Sequence, residues 1–188
     1  FHMRRYSDAL QFLEYYHEPP GTKSREDNYI LGFSLYHGGE YDKAVPFLER
    51  ASKGTDLMAQ NSYYILADAY VKTDRKEKAR IAFEAASEMD FDAAIKEDAL
   101  FNYAKLTYEL SYSPFNETIK AFDKYITLYP NSDRNTAAYE YLVQVYMVTK
   151  NYRDAISSIE KIKVRNPEIN QAYQRATYYR GLELFSNE

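Results

Sequence analysis

The chain has 188 residues, a formal net charge of −4 and no cysteine. Without cysteine there is no disulfide, thiol nucleophile or cysteine-ligated metal, and the acidic balance opposes a function dominated by contacts to nucleic-acid phosphates. No stretch approaches the roughly 18 apolar residues that a membrane-spanning helix needs. The unusual feature is aromatic content, with 21 tyrosines and 10 phenylalanines but no tryptophan.

A small residue followed four positions later by a large apolar residue recurs along the whole chain. The pairs are Ala9/Leu13, Ala44/Leu48, Ala79/Phe83, Thr118/Phe122 and Ala155/Ile159. Successive pairs lie 35 to 39 residues apart, and a period of about 34 residues is typical of stacked helix–turn–helix units. The spacing therefore predicts that each pair lies on the second helix of such a unit.

A second amphipathic pattern precedes the last four of these pairs and predicts the first helix of each unit. Its small residue, at Gly32, Ala67 and Ala104, predicts the close approach of a neighbouring backbone. Val143 takes this place in the fourth instance, and Gly181 takes it in the last segment of the chain.

Helix-breaking residues follow some of the second helices. Pro130 and Pro167 each lie 12 residues after the small residue of their helix, as expected where a helix must end. No proline follows near Asp56 or Phe91. We therefore expect those two junctions to be built differently.

These patterns resemble the tetratricopeptide (TPR) repeat. The clearest instances are Asn28-x2-Leu31-Gly32-x2-Leu35 and Tyr63-x2-Leu66-Ala67-x2-Tyr70, each followed by its small–large pair. The resemblance implies an all-α fold, a right-handed superhelical solenoid of antiparallel helix pairs. We expect repeats at 25–58, 60–93, 97–132 and 136–169, the C-terminal part of a truncated repeat at 1–20, and the first helix of another at 172–188. On this interpretation the chain is a piece of a longer array.

The sequence offers no catalytic, cofactor or metal motif. None of the three histidines, His2, His17 and His37, has a carboxylate or second histidine at metal-ligand spacing. The six glycines form neither G-x-G-x-x-G nor a P-loop. We therefore expect a protein that is not an enzyme and binds no cofactor or metal.

In a TPR solenoid the first helices line a concave groove, and their periodicity predicts which side chains face it. The predicted set is Tyr29, Phe33, Tyr36, Tyr64, Asp68, Phe101, Lys105, Tyr108, Gln144 and Met147. Aromatic residues among a few charges are typical of recognition surfaces. Aromatic rows at helical spacing also pack helices together, so both interpretations stay open.

Some TPR domains hold a C-terminal carboxylate with Lys and Asn on adjacent first helices. The corresponding positions here are Tyr29, Phe33, Ile65, Asp98 and Asn102, which include no Lys or Arg. The sequence therefore predicts no clamp of this kind.

We expect the groove to bind an extended peptide or a helix of a partner protein, and not nucleic acid. An RNA-binding helical-repeat module and a glycan-binding aromatic groove are the alternatives. The stretch Phe122-x2-Tyr125-Ile-Thr-Leu-Tyr-Pro-Asn-Ser132 is similar to bacterial cell-envelope TPR proteins, namely outer-membrane-assembly lipoproteins and the Tol–Pal coordinator. This similarity implies a periplasmic or membrane-associated scaffold, with any membrane anchor outside the present span.

Overall fold

A computed structural model of the chain describes residues 23–110 and 116–186. These residues form nine α-helices and no strand, so the all-α prediction is confirmed for them. The truncated repeat predicted at 1–20, with its pair Ala9/Leu13, lies outside the described residues. The helices are α1 (Arg25–His37), α2 (Tyr41–Ala51), α3 (Leu57–Lys72), α4 (Lys76–Ser87), α5 (Ala93–Leu110), α6 (Asn116–Leu128), α7 (Asn135–Val148), α8 (Tyr152–Glu160) and α9 (Pro167–Ser186).

The helices belong to two compact units, Phe1–Leu106 and Thr107–Glu188, and the division falls inside α5. In the first unit α1 packs on α2, α2 on α3 and α3 on α4, while α1 also contacts α3. In the second unit α6 packs on α7, α7 on α8 and α8 on α9, while α7 also contacts α9. Packing between helices that are neighbours in sequence is what stacked helical repeats require, since each repeat contacts only its neighbours.

The small–large pairs supply the packing between the helices of a pair. Ala44 and Leu48 on α2 are both fully buried, and the pairs on α4, α6 and α8 are buried likewise. Leu48 packs directly on Gly32 of α1, where an added Cβ would lie 2.7 Å from Leu48 Cγ. Gly32 is therefore a glycine because the neighbouring leucine fills the space that a side chain would occupy.

An arginine builds the first junction that lacks proline. Arg25, at the start of α1, donates from Nε to the carbonyl oxygen of Ala51 at 2.8 Å and from both terminal nitrogens to Asp56 at 2.5 Å. Asp56 also caps α3 by accepting from the amide of Ala59 at 2.8 Å. The hydrogen bond from Arg25 holds the pKa of the Asp56 carboxyl well below its ordinary value. One side chain thus connects the end of α2 to the start of α3.

A buried glutamine builds the second such junction. Gln60 on α3 is fully buried, and its Nε2 donates to the carbonyl oxygens of Ala86, Met89 and Asp92 at 2.9–3.2 Å. Its Oε1 accepts from the amide of Asp92 at 2.7 Å. Both ends of the amide are therefore used to hold the segment between α4 and α5, and the expectation of a different construction is confirmed here too.

The last helix differs from α1 at the small-residue position. An added Cβ at Gly181, which stands at the small-residue position of α9, would meet nothing within 4 Å. The buried small residue of α9 is Ala176.

Candidate functional site

An aromatic row runs along one face of α1. Tyr29, Phe33 and Tyr36 are half-buried, and His37 at the end of the helix is exposed. The ring centroids of Tyr29 and Phe33 lie 5.7 Å apart, and those of Phe33 and His37 lie 4.3 Å apart. Spacings of three and four residues put these rings on the same side of the helix. The predicted aromatic face of this helix is therefore a set of touching rings that remain partly accessible.

A tyrosine hydroxyl links this row to the next first helix. Tyr36 donates from its hydroxyl to Oδ2 of Asp68 on α3 at 2.5 Å. Burial raises the pKa of the Tyr36 hydroxyl, and the hydrogen bond to Asp68 raises it further. Tyr36 and Asp68 were both predicted from periodicity alone, and the structure brings them into contact.

A second link runs from α3 to α5. The hydroxyl of Tyr64 donates to Oδ2 of Asp98 at 2.6 Å, and the Tyr64 ring meets Phe83 edge-on at 5.8 Å. Asn102 donates its side-chain amide to the same Asp98 oxygen at 2.8 Å. The one polar, uncharged residue at the clamp positions is thus already engaged with a carboxylate of its own helix.

The second unit carries a link with the same repeat register as the first. The hydroxyl of Tyr108 on α5 donates to Oε1 of Gln144 on α7 at 2.6 Å. The Tyr108 ring lies 5.1 Å from Tyr141, which stacks on Phe122 at 5.0 Å. Two of the predicted residues, Tyr108 and Gln144, therefore meet here as Tyr36 and Asp68 do in the first unit.

The other predicted residues have different surroundings. Met147 is partly buried and packs against the apolar cluster of the second unit, formed by Val143, Ile159, Ile162 and Ile169. Phe101 and Lys105 on α5 are half-buried, and each interacts with its surroundings. For Met147 these contacts favour the packing interpretation.

Periodicity selected Asp68 and Gln144 but did not show that they accept hydrogen bonds from tyrosine hydroxyls of the neighbouring first helix. Asp68 and Gln144 each directly follow the small-residue position of their first helix, held by Ala67 and Val143, whereas Tyr36 and Tyr108 each lie four residues after theirs. Periodicity predicted that these side chains share a face but not that they bond across neighbouring helices. The signal was the recurrence of a donor and an acceptor at fixed repeat positions.

Another tyrosine in the first unit lies away from this aromatic face. Buried Tyr70 on α3 donates from its hydroxyl to Oε1 of Glu49 at 2.5 Å. Two cations lie against its ring, with Arg75 Cζ 4.9 Å and Lys78 Nζ 5.6 Å from the centroid. Glu49, Tyr70 and Lys78 also line an open cavity of about 200 Å³ between α2, α3 and α4.

Within residues 23–110 and 116–186, no group of three or more histidine, aspartate and glutamate side chains is arranged to hold a metal ion. No helix in this part of the chain is long and apolar enough to cross a bilayer.

No curated protein matches the chain. Residues 2–86, fewer than half of the chain, match the model of a family described as anaphase-promoting complex, cyclosome, subunit 3. That family is of the TPR type, so the match supports the interpretation of the repeat spacing. The chain is therefore similar to TPR-type repeat proteins, a class that generally mediates protein–protein interactions.

Proposed function

We propose that the protein is a non-enzymatic scaffold that binds an extended segment or a helix of a partner protein on the aromatic face of its first helices. In the first unit this face comprises Tyr29, Phe33, Tyr36, Tyr64, Asp68, Phe101 and Lys105. In the second unit it comprises Tyr108, Gln144 and Met147. The observation that supports the proposal most is the set of tyrosine hydroxyls that bond between first helices while their rings stay partly accessible.

These hydroxyl bonds favour binding because they fix the rings in advance. A phenol ring has only two side-chain torsions, and a hydrogen bond at its far end restricts both. A partner that packs on such a ring loses little further side-chain entropy, and tyrosine is common among the residues that dominate binding energy. The same bonds also stabilise the fold, so removing a whole tyrosine confounds binding with stability.

The experiment therefore separates the ring from the hydroxyl. Random 12-residue peptides are displayed and selected on the purified chain, and the affinities of the selected peptides are measured by fluorescence anisotropy. Tyr64→Phe keeps the ring and loses the bond to Asp98, whereas Tyr64→Ala loses both. Tyr108→Phe and Tyr108→Ala form the matched pair in the second unit, and the melting temperature of each variant is recorded.

A recognition role predicts that the alanine variants lose peptide affinity by at least about tenfold, while the phenylalanine variants keep most of it at a reduced melting temperature. If alanine and phenylalanine variants lower the melting temperature and leave affinity unchanged, the tyrosines are packing residues only.

RNA is the competing ligand class, and it has a simple discriminating measurement. Affinity for RNA falls steeply with salt because binding releases counterions. Peptide affinity that depends on ring contacts should change little between low and physiological salt. The net charge of −4 favours the peptide.

The cell-envelope setting stays a prediction. It depends on the stretch between Phe122 and Ser132, and fractionation of cells that express the full reading frame would test it.

A further inference from the structure

The Tyr70 site shows how this protein completes a tyrosine–carboxylate pair with a cation. The hydroxyl of Tyr70 bonds to Glu49, and Arg75 and Lys78 lie over the ring. A cation over a tyrosine ring is attracted by the negative face of the ring, and a carboxylate at the hydroxyl adds to that attraction. Carboxylate, ring and cation thus form one compact arrangement.

Tyr36 and Asp68 repeat this arrangement without the cation. The Tyr36 hydroxyl bonds to Asp68 as the Tyr70 hydroxyl bonds to Glu49. The ring neighbours of Tyr36 are His37 at 5.2 Å and Tyr41 at 5.5 Å, and no Lys or Arg of the described chain lies over it.

Asp68 also lacks a cation among the described residues. Its Oδ2 accepts from Tyr36, and its Oδ1 accepts no hydrogen bond from residues 23–110 or 116–186. Lys72, one turn further along α3, forms no ion pair with it in that part of the chain. A half-buried carboxylate is therefore left with an unused oxygen on the aromatic face.

We propose that an arginine of the partner segment binds here, with its guanidinium on Oδ1 of Asp68 and its plane against the ring of Tyr36. The geometry favours arginine over lysine, because a planar guanidinium both stacks on a ring and donates to a carboxylate. Negative charge on this face also favours a cationic side chain. The chain is acidic overall, and Asp98, which accepts a hydrogen bond from Tyr64, places a second carboxylate on the same face. This inference depends on the proposed function, because it names the chemistry of the partner at the same surface.

The test begins with two matched charge-neutralising variants. Asp68→Asn keeps an oxygen that accepts from Tyr36 but removes the charge. Glu49→Gln does the same at Tyr70, away from the aromatic face. Random 12-residue displayed peptides are selected separately on the wild type and on each variant. Melting temperatures confirm that both variants fold.

We expect the peptides selected on the wild type and on Glu49→Gln to be enriched in arginine at one position, and those selected on Asp68→Asn not to be. A selected peptide is then synthesised with that arginine and with citrulline, which has nearly the same shape without the charge. Asp68→Asn should weaken the arginine peptide by about five- to tenfold and leave the citrulline peptide unchanged.

Two results would overturn the inference. One is selection of tight-binding peptides without arginine enrichment, which would leave the proposed function intact. The other is an equal loss of affinity in Asp68→Asn and Glu49→Gln. Failure of the proposed function looks different, since no peptide would then depend on the ring of Tyr64 or Tyr108, whatever its charge.

Discussion

Replacing Gln60 with leucine should destabilise the first unit because it removes every hydrogen bond that this side chain makes to the segment between α4 and α5. The carbonyl of Ala86 would keep a 3.4 Å bond from the Met89 amide, and the carbonyl of Asp92 would keep a 3.0 Å bond from the Lys96 amide. The carbonyl of Met89 and the amide of Asp92 would lose their partner in the described structure. Two orphaned groups at about 1–2 kcal/mol each predict a loss of about 2–4 kcal/mol.

The measurement is equilibrium unfolding in urea, followed by far-ultraviolet circular dichroism, together with hydrogen exchange at the Asp92 amide. Leucine has nearly the volume of glutamine, so the variant tests hydrogen bonding rather than packing. Asn61→Ala is the control, because Asn61 is adjacent, half-buried and without a hydrogen-bond partner in the described residues.

A free energy of unfolding of Gln60→Leu within about 0.5 kcal/mol of the wild type, the usual range for a surface change, would contradict the prediction. Unchanged protection of the Asp92 amide from exchange would contradict it too. An equal loss in Asn61→Ala would point to a general weakness of α3 rather than to the junction.

Three further predictions use matched positions in the chain. Gly32→Ala should lower the free energy of unfolding by about 1–3 kcal/mol, because the added Cβ would press on the buried Leu48 of α2. Gly181→Ala has open space around it and should raise the free energy of unfolding by about 0.5–1 kcal/mol. Thermal unfolding measures both. Tyr36→Phe should lower the free energy of unfolding by about 1 kcal/mol, because it loses the hydrogen bond to Asp68. Tyr29→Phe should change it by less than about 0.5 kcal/mol, since the Tyr29 hydroxyl has no partner in the described part of the chain. The pKa of Asp56 is lower in the folded protein than its unfolded-state value of 3.8. The charged carboxylate therefore stabilises the fold above pH 3.8, and this stabilisation is lost as the pH falls through the folded-state pKa. Melting temperatures should therefore fall more between about pH 5 and pH 2 in the wild type than in Asp56→Asn, and equal falls would contradict the assignment.

The repeat fold was predictable because its signal is apolar and local. A small residue paired with a large one four positions later fixes a buried helix face by helical geometry alone, and Ala44/Leu48 and Ala155/Ile159 are buried as that pattern requires. The junctions at Asp56 and Asp92 were not predictable in detail. Arg25 and Gln60 reach 26 to 32 residues along the chain, and a polar residue at a helix start does not reveal which distant carbonyls it will meet.

The candidate site was predictable as a set of residues but not as a set of bonds. Periodicity placed Tyr36, Asp68, Tyr108 and Gln144 on first-helix faces. Whether a ring packs or is available to a partner depends on what its hydroxyl meets in the next repeat, and that requires the distance between successive first helices. Met147 illustrates the limit, since the same periodicity selected it although it packs on an apolar cluster.

The hydroxyl links supply a final prediction, because the repeat positions that carry them hold no tyrosine on α3 and no acceptor on α5. Tyr36 lies four residues after its small residue, and its acceptor Asp68 directly follows the next one. At the junction of α3 and α5 these two positions hold Val71, which is 38% exposed, and Lys105, neither of which can make the bond.

Val71→Tyr combined with Lys105→Gln should install the link. Thermodynamic coupling between the two changes should then be about 0.5–1 kcal/mol in favour of the double variant. The coupling is measured by unfolding both single variants and the double variant in urea. Strict additivity would show that the register of the tyrosine links does not transfer between repeats.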